Sequence, residues 1–225
     1  DTHVRIEGPA VLKAQLSFAE DWYWATELGL ELNWKAEQAA DGSDARVLII
    51  PSGPADPFET ANLMFVHAIN SAQKRIWIAS PYFVPDHSVI AALQLAGLRG
   101  VDVRSLIPDT PDHLLVYMAA YASFDKAGRT GVKFYRFQEG FLHEKALLID
   151  DSVAAVGTAN FDNRSFRLNF EVTAAVADPV FVEQVVDMFE QDFQKSRLMA
   201  ANEYATKPWY FKLGVKLADL AAPIL

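Results

Sequence analysis

From residue 47 onward the chain alternates between short apolar runs and stretches with apolar residues at helical spacing. Residues 47–50 read as a buried strand closed by Pro51. Residues 58–73 place Phe58, Ala61, Phe65 and Ile69 on one helical face. A strand follows at 75–80, rich in Ile and Trp, then a helix at 88–98 that Gly100 ends. The pattern continues as a strand at 101–107, a helix at 113–126 and an alternating strand at 132–137. Strands at 145–149, 154–156 and 171–176 complete a sheet, and 180–193 is helical. Such alternation predicts an α/β layered domain, a mixed central sheet with helices on both faces. The small, polar residues 39–44 read as a linker. They divide the chain into 1–43, a main domain at 44–200 and a terminal segment at 201–225.

The first segment contains a weak echo of the main domain. The run from Asp1 to Pro9 parallels that from Glu171 to Pro179, each reading acid, strand, proline. A helix follows in both, with an aromatic-x-x-Asp-aromatic pattern at Phe18–Trp22 and Phe189–Phe193. Two readings stand: chance similarity between strand–helix units, or residues 1–26 as the tail of a preceding repeat. The chain begins at Asp1 without a clear element start, which favours the second.

Chemistry concentrates between His143 and Asn160. The residues follow H-x-K-x4-D-x6-G-T-x-N, built from His143, Lys145, Asp150, Gly157, Thr158 and Asn160. On a strand, positions i and i+2 project from the same face, so His143 and Lys145 point at one spot. Lys145 offers positive charge and Asn160 a neutral donor for the non-bridging oxygens of a phosphodiester. His143 can attack phosphorus or protonate a leaving alkoxide, and the residues leave both roles open. A carboxylate behind the imidazole would hold its second nitrogen, and Glu171 on the following strand is the candidate. Asp150 is expected to tie its own turn, Asp150–Ser152, rather than react. Gly157 is expected to let the backbone approach a bound group closely. Ser165 reads equally as a phosphate donor or a plain turn serine.

Composition narrows the partners. The 225 residues carry a formal net charge of −9, which weighs against nucleic acid as a partner. There is no cysteine, and the five histidines show no metal-ligand spacing, so neither a metal nor any other cofactor is expected. No run of 18 apolar residues occurs.

The 143–160 motif closely resembles the signature of the phospholipase D superfamily. Further blocks extend the likeness: Ser80 to Asp86, Leu98 to Val103, Pro111 to Leu114, Gly140 to His143 and Gly157 to Glu171. Together they resemble the second half of bacterial cardiolipin synthases of the phospholipase D type, and Asp1–Pro9 with Phe18–Thr26 resembles the end of the first half. The resemblance implies two similar α/β domains sharing one site, each giving one motif. It implies phosphatidyl transfer between two phosphatidylglycerol molecules through a phosphohistidine. His143, Lys145 and Asn160 match the reacting and phosphate-binding positions, and Glu171 the acid that orients the histidine. Asp1 would match the equivalent acid of the first motif. That motif, and the membrane-spanning helices expected before it in a bacterial inner-membrane enzyme, lie outside this sequence. A preceding half or a second copy of the chain would complete the site. Other phospholipase D-type hydrolysis, of phospholipid or nucleic acid, and an inactive lipid-binding fragment are the alternatives.

The last segment reads as a helix with Tyr210, Leu213, Leu217 and Leu220 on one face and Lys212, Lys216 and Asp219 on another. With Trp209 and Tyr210 as amphipathic anchors, it fits a helix lying in anionic lipid headgroups, or a terminal helix packed on the domain.

Overall fold

The computed structural model describes residues 1–39 and 44–225. The boundary expected near residue 43 lies outside the described residues. In chain order the elements are α1 (Val11–Thr26), β1 (Arg46–Ser52), α2 (Thr60–Ser71), β2 (Arg75–Ala79), β3 (Phe83–Val84), α3 (His87–Leu98), β4 (Asp102–Pro108), α4 (Leu114–Gly128) and β5 (Lys133–Phe137). There follow β6 (Ala146–Ile149), β7 (Val153–Gly157), β8 (Phe161–Asp162), α5 (Asn163–Arg167), β9 (Glu171–Ala177), α6 (Pro179–Gln194), β10 (Ser196–Leu198), α7 (Glu203–Thr206) and α8 (Trp209–Asp219).

Eight strands form one mixed sheet in the order β1-β9-β7-β6-β2-β4-β5-β10. The steps β2-β4 and β4-β5 are parallel, joined through α3 and α4, whereas β6, β7 and β9 run antiparallel as a meander. Alternation along each strand feeds two cores. Ile76, Ile78, Val103, Ile107 and Leu147 face α2, α3 and α4. Trp77, Ala79, Leu106, Leu148 and Val156 face α6, where Phe189 and Phe193 pack edge-on against Trp77. This is the layered α/β arrangement the hydrophobic pattern implies.

Some local expectations change. The first strand does not stop at Pro51 but pairs with β9 as far as Ser52. It is an edge strand, where a missing N–H is tolerated. Residues 1–7 form no strand. The helix of the echo does form, as α1. Its Phe18 and Trp22 are exposed, whereas their counterparts Phe189 and Phe193 are buried.

α8 docks on α4 through Val215 and Ala218, while Phe211 meets Tyr121 edge-on at 5.1 Å. Trp209, Tyr210, Leu213, Leu217 and Leu220 remain exposed. The helix thus packs on the domain and still presents the outward apolar stripe. Lys216 is exposed too. Lys212 instead turns its ammonium to the Ala205 carbonyl at 2.7 Å.

Candidate active site

The site sits at one end of the central strands of the sheet. Register pairs Ala146 with Ala79 and with Val156, and Gly157 with Thr173. The residues just before β6 therefore meet the carboxyl end of β2, the end of β7 and the start of β9. His143 and Lys145 precede the first ladder residue of β6 rather than lying within it, yet the expected convergence holds. Lys145 Nζ lies 2.9 and 3.0 Å from the two His143 ring nitrogens and donates to the His143 carbonyl at 2.8 Å. Glu144, between them, turns to the opposite face, where burial and then the charge of Asp192 push its carboxyl up.

Partial burial, then the Lys145 ammonium, lower the imidazole pKa below its ordinary range. Burial also lowers the Lys145 ammonium, against the opposing charges of Glu171 and Asp162. A neutral imidazole beside a desolvated cation suits attack on a phosphate diester held by that cation.

The acid beside His143 is Asp1, not Glu171: Asp1 Oδ2 stands 3.4 Å from His143 Nδ1. Glu171 is held elsewhere. Thr158 Oγ1 donates to its Oε2 and Asn169 Nδ2 to its Oε1 at 3.1 Å. The reason is strand order. Glu171 begins β9, which lies beyond β7 from β6, and Thr158 fixes it there by also accepting from the Val172 N–H at 2.9 Å.

The Asn160 loop is built around Ser165. Its hydroxyl, fully buried, accepts from the Asn160 N–H at 3.1 Å. Ser165 N–H in turn donates to Asp162 at 2.7 Å, capping α5. Ser165 therefore organises the loop from within. Ser80 Oγ accepts from the Phe161 N–H at 2.9 Å, and the short β3–β8 pairing ties this loop to the segment after β2. Close to Asn160 the Asp162 carboxyl is buried, and burial pushes it up. Among the described residues Asn160 Oδ1 has no hydrogen-bond partner.

Gly157 is required by the close approach of β9. A Cβ there would lie 2.5 Å from Thr173 Oγ1, 2.8 Å from the Val172 carbonyl and 2.9 Å from Thr173 Cα. Asp150 lies at the far end of β6, at φ 52°. It does not tie its own turn. Its carboxylate accepts the N–H groups of Gln73, Lys74 and Arg75 at 2.7–3.1 Å, locking the α2–β2 connection.

Two further residues join the site without a role foreseen for them in the motif. Tyr82 donates its hydroxyl to Asp112 at 2.6 Å, and the Asp112 charge acts on His143. Their only signal in the sequence was membership of the blocks at Ser80–Asp86 and Pro111–Leu114.

Comparison with known proteins agrees with this architecture. Nuc from Salmonella typhimurium, a phospholipase D family member, superposes with a TM-score of 0.60 at 20% identity, covering 69% of this chain and 99% of that one. The phosphatidylserine synthase of Haemophilus influenzae gives 0.62 at 17% identity, covering 86% of this chain and 51% of that one. Cardiolipin synthase A of Pseudomonas putida is 50% identical over 225 residues, all of this chain but 46% of the relative. The chain thus spans about half the length of the curated relatives it matches. The family described as "Cardiolipin synthase, PLD-like domain" matches residues 65–193. The chain belongs to that phospholipase D-like family of cardiolipin synthases.

Proposed function

We propose that this chain is one half of a phosphatidyltransferase site that makes cardiolipin from two phosphatidylglycerol molecules. The observation that carries the reading is the His143–Lys145 contact, with Asp1 beside it and Asn160 on the neighbouring loop. Identity of 50% to cardiolipin synthase A along the whole chain supports the substrate.

In the proposed reaction one imidazole attacks phosphorus. An N–P bond forms, the P–O bond to glycerol breaks, and a second imidazole protonates the departing alkoxide. That second imidazole then removes a proton from a hydroxyl of another phosphatidylglycerol. The new alkoxide attacks phosphorus, the N–P bond breaks, and cardiolipin leaves. His143 takes one role, and a histidine from a preceding repeat takes the other. Lys145 and the Asn160 amide hold the non-bridging oxygens. The crossed position of Asp1 supports this pairing. If Asp1 belongs to the preceding repeat and serves His143, its counterpart Glu171 is placed to serve that repeat's histidine.

The exposed Phe18 and Trp22 of α1 support a missing partner domain, since the matching pair on α6 is buried against a sheet. Among the described residues no helix is long and apolar enough to cross a membrane. We assign the chain to a bacterial membrane surface, reached through the outward stripe of α8, with Trp209 and Tyr210 in the headgroup layer and Lys216 toward anionic lipid. Membrane-spanning helices belong to the preceding part in this reading.

The test is to incubate phosphatidylglycerol vesicles with this chain, with the preceding half, and with both. Cardiolipin only from the mixture is the expected result. Phosphatidic acid alone would make the enzyme a hydrolase. Activity from this chain alone, rising steeply with its concentration, would replace the preceding half by a second copy.

A further inference from the structure

Arg136 on β5 is only 2% exposed, yet among the described residues no carboxylate pairs with it. Its side chain projects toward α4, among the rings of Tyr117, Tyr121 and Phe124, 5.0–5.3 Å from its guanidinium carbon. It makes one long hydrogen bond, 3.4 Å to the Pro108 carbonyl. Nε and Nη2 are buried without an acceptor. The nearby Glu203 is already committed to Tyr121 at 3.0 Å and Arg197 at 2.8 Å. Buried donors left unpaired are costly, and a guanidinium has five of them to satisfy.

Arg136 lines a narrow cleft, open to solvent, at the carboxyl ends of β2, β4 and β5. Tyr82, Asp112 and His113 line it as well, and Pro108 and Tyr117 complete its walls. The same end of the sheet carries His143, and the Asp112 charge is felt there. Unpaired Arg136 donors therefore lie buried in the wall of the cleft, and Asp112 adds an acceptor already oriented by the Tyr82 hydroxyl at 2.6 Å.

We propose that this cleft is the subsite for the glycerol headgroup of phosphatidylglycerol, with Arg136 donating to one hydroxyl and Asp112 accepting from another. The proposal rests on the transferase reading above. A hydroxyl both donates and accepts, so a diol satisfies Arg136 and Asp112 together. A phosphate would meet repulsion from Asp112 and already has Lys145. One subsite serves both halves of the reaction. The alkoxide leaves phosphorus opposite the attacking imidazole, and the accepting alkoxide must return along the same line. The departing and accepting glycerols thus occupy one place in turn.

The experiment uses the completed enzyme with a phosphatidyl donor whose leaving group is p-nitrophenol. Glycerol and ethanol compete as acceptors, and the ratio of phosphatidylglycerol to phosphatidylethanol is read. Arg136→Met and Asp112→Asn should each lower that ratio at least about tenfold, the weight of one hydrogen bond to a charged group. Tyr82→Phe should lower it less. An unchanged ratio in folded variants, even with a lower total rate, overturns the subsite. Should Arg136→Met not fold, Asp112→Asn and Tyr82→Phe, both at partly exposed positions, decide by the same ratio. If the wild-type enzyme releases nitrophenol but transfers to neither alcohol, the transferase reading itself fails, and that outcome is distinct from an unchanged ratio.

Discussion

At one end of β6, His143 and Lys145 stand half-exposed with their polar atoms turned to one another and to solvent. At the other end, Asp150 has its carboxylate filled by three backbone N–H groups. Both ends belong to one sequence signature and lie on one short strand. The groups at the first end keep hydrogen-bonding capacity for something absent from the chain. The group at the second end has spent its capacity on the α2–β2 connection. Residues that recur together in a motif therefore divide between chemistry and architecture, and unsatisfied capacity is what separates them.

Removing the chemical end should cost activity and little else. His143→Ala in the completed enzyme is expected to lower cardiolipin formation by roughly 10²–10⁴-fold. Its thermal midpoint should barely move, since a half-exposed side chain changes stability by about 0.5 kcal/mol or less. Wild-type turnover of phosphatidylglycerol by this variant would sink the site assignment. Titration of the His143 ring by NMR should also place its ionisation below the ordinary 6.5, because burial and Lys145 both disfavour the imidazolium.

The two acids sharpen the comparison at the next level down. Asp1→Asn and Glu171→Gln each remove one charge from the site edge while keeping shape. A loss of about 10- to 100-fold in turnover is expected from each, the weight of one charge-assisted hydrogen bond. If the acids serve different histidines, the double variant should lose the product of the two factors. If both act on His143, the second substitution should add little, which a double-mutant cycle would reveal.

Much of this arrangement was legible before any coordinates. The strands and helices of the main domain fall within a few residues of their expected places because each buries one face, and burial writes its period into the sequence. The i, i+2 argument found the convergence of His143 with Lys145 even though both precede the ladder. What stayed hidden depends on strand order. Glu171 was expected behind His143, but β7 lies between β6 and β9, and nothing local encodes that. β3 and β8 escaped because two residues carry no period. Ser165 was read equally as a phosphate donor or a turn serine, and its hydroxyl holds the Asn160 loop five residues away. Asp150 was read as a local turn residue, whereas its partners lie 75 to 77 residues away in sequence. Arg136 looked like an ordinary strand residue, since burial of a single cation leaves no pattern.

Gly157 tests whether the chemical end is also architectural. It faces Lys145 across the sheet, its N–H bonded to the Lys145 carbonyl at 3.1 Å. Gly157→Ala drives a methyl into the Val172 carbonyl and the Thr173 backbone, neither of which can rotate away. The expected cost is roughly 3 kcal/mol, seen as a lowered urea midpoint, with activity falling because β9 carries Glu171. A stable and fully active Gly157→Ala variant would mean that β7 and β9 are not held this closely.

The smallest effect belongs to Asp150. Burial pushes its carboxyl up, but the N–H groups of Arg75, Lys74 and Gln73 outweigh that and hold it below the usual carboxylate range. A folded-state pKa below the unfolded one means that the charged carboxylate stabilises the fold. That contribution is complete above the ordinary value of 3.8 and is lost as pH falls through the lower folded value. After solvent screening, Asp150→Ala should cost about 1 kcal/mol near neutral pH, and the gap to wild type should close in strongly acidic solution. Asp150→Asn should cost less. It keeps one acceptor oxygen and tolerates the left-handed backbone at φ 52°. Turnover per folded molecule should stay near wild type in both, because the strand's full length separates Asp150 from Lys145. A large loss of turnover in a fully folded Asp150→Asn enzyme would join the two ends of β6 into one functional unit and undo the division drawn between them.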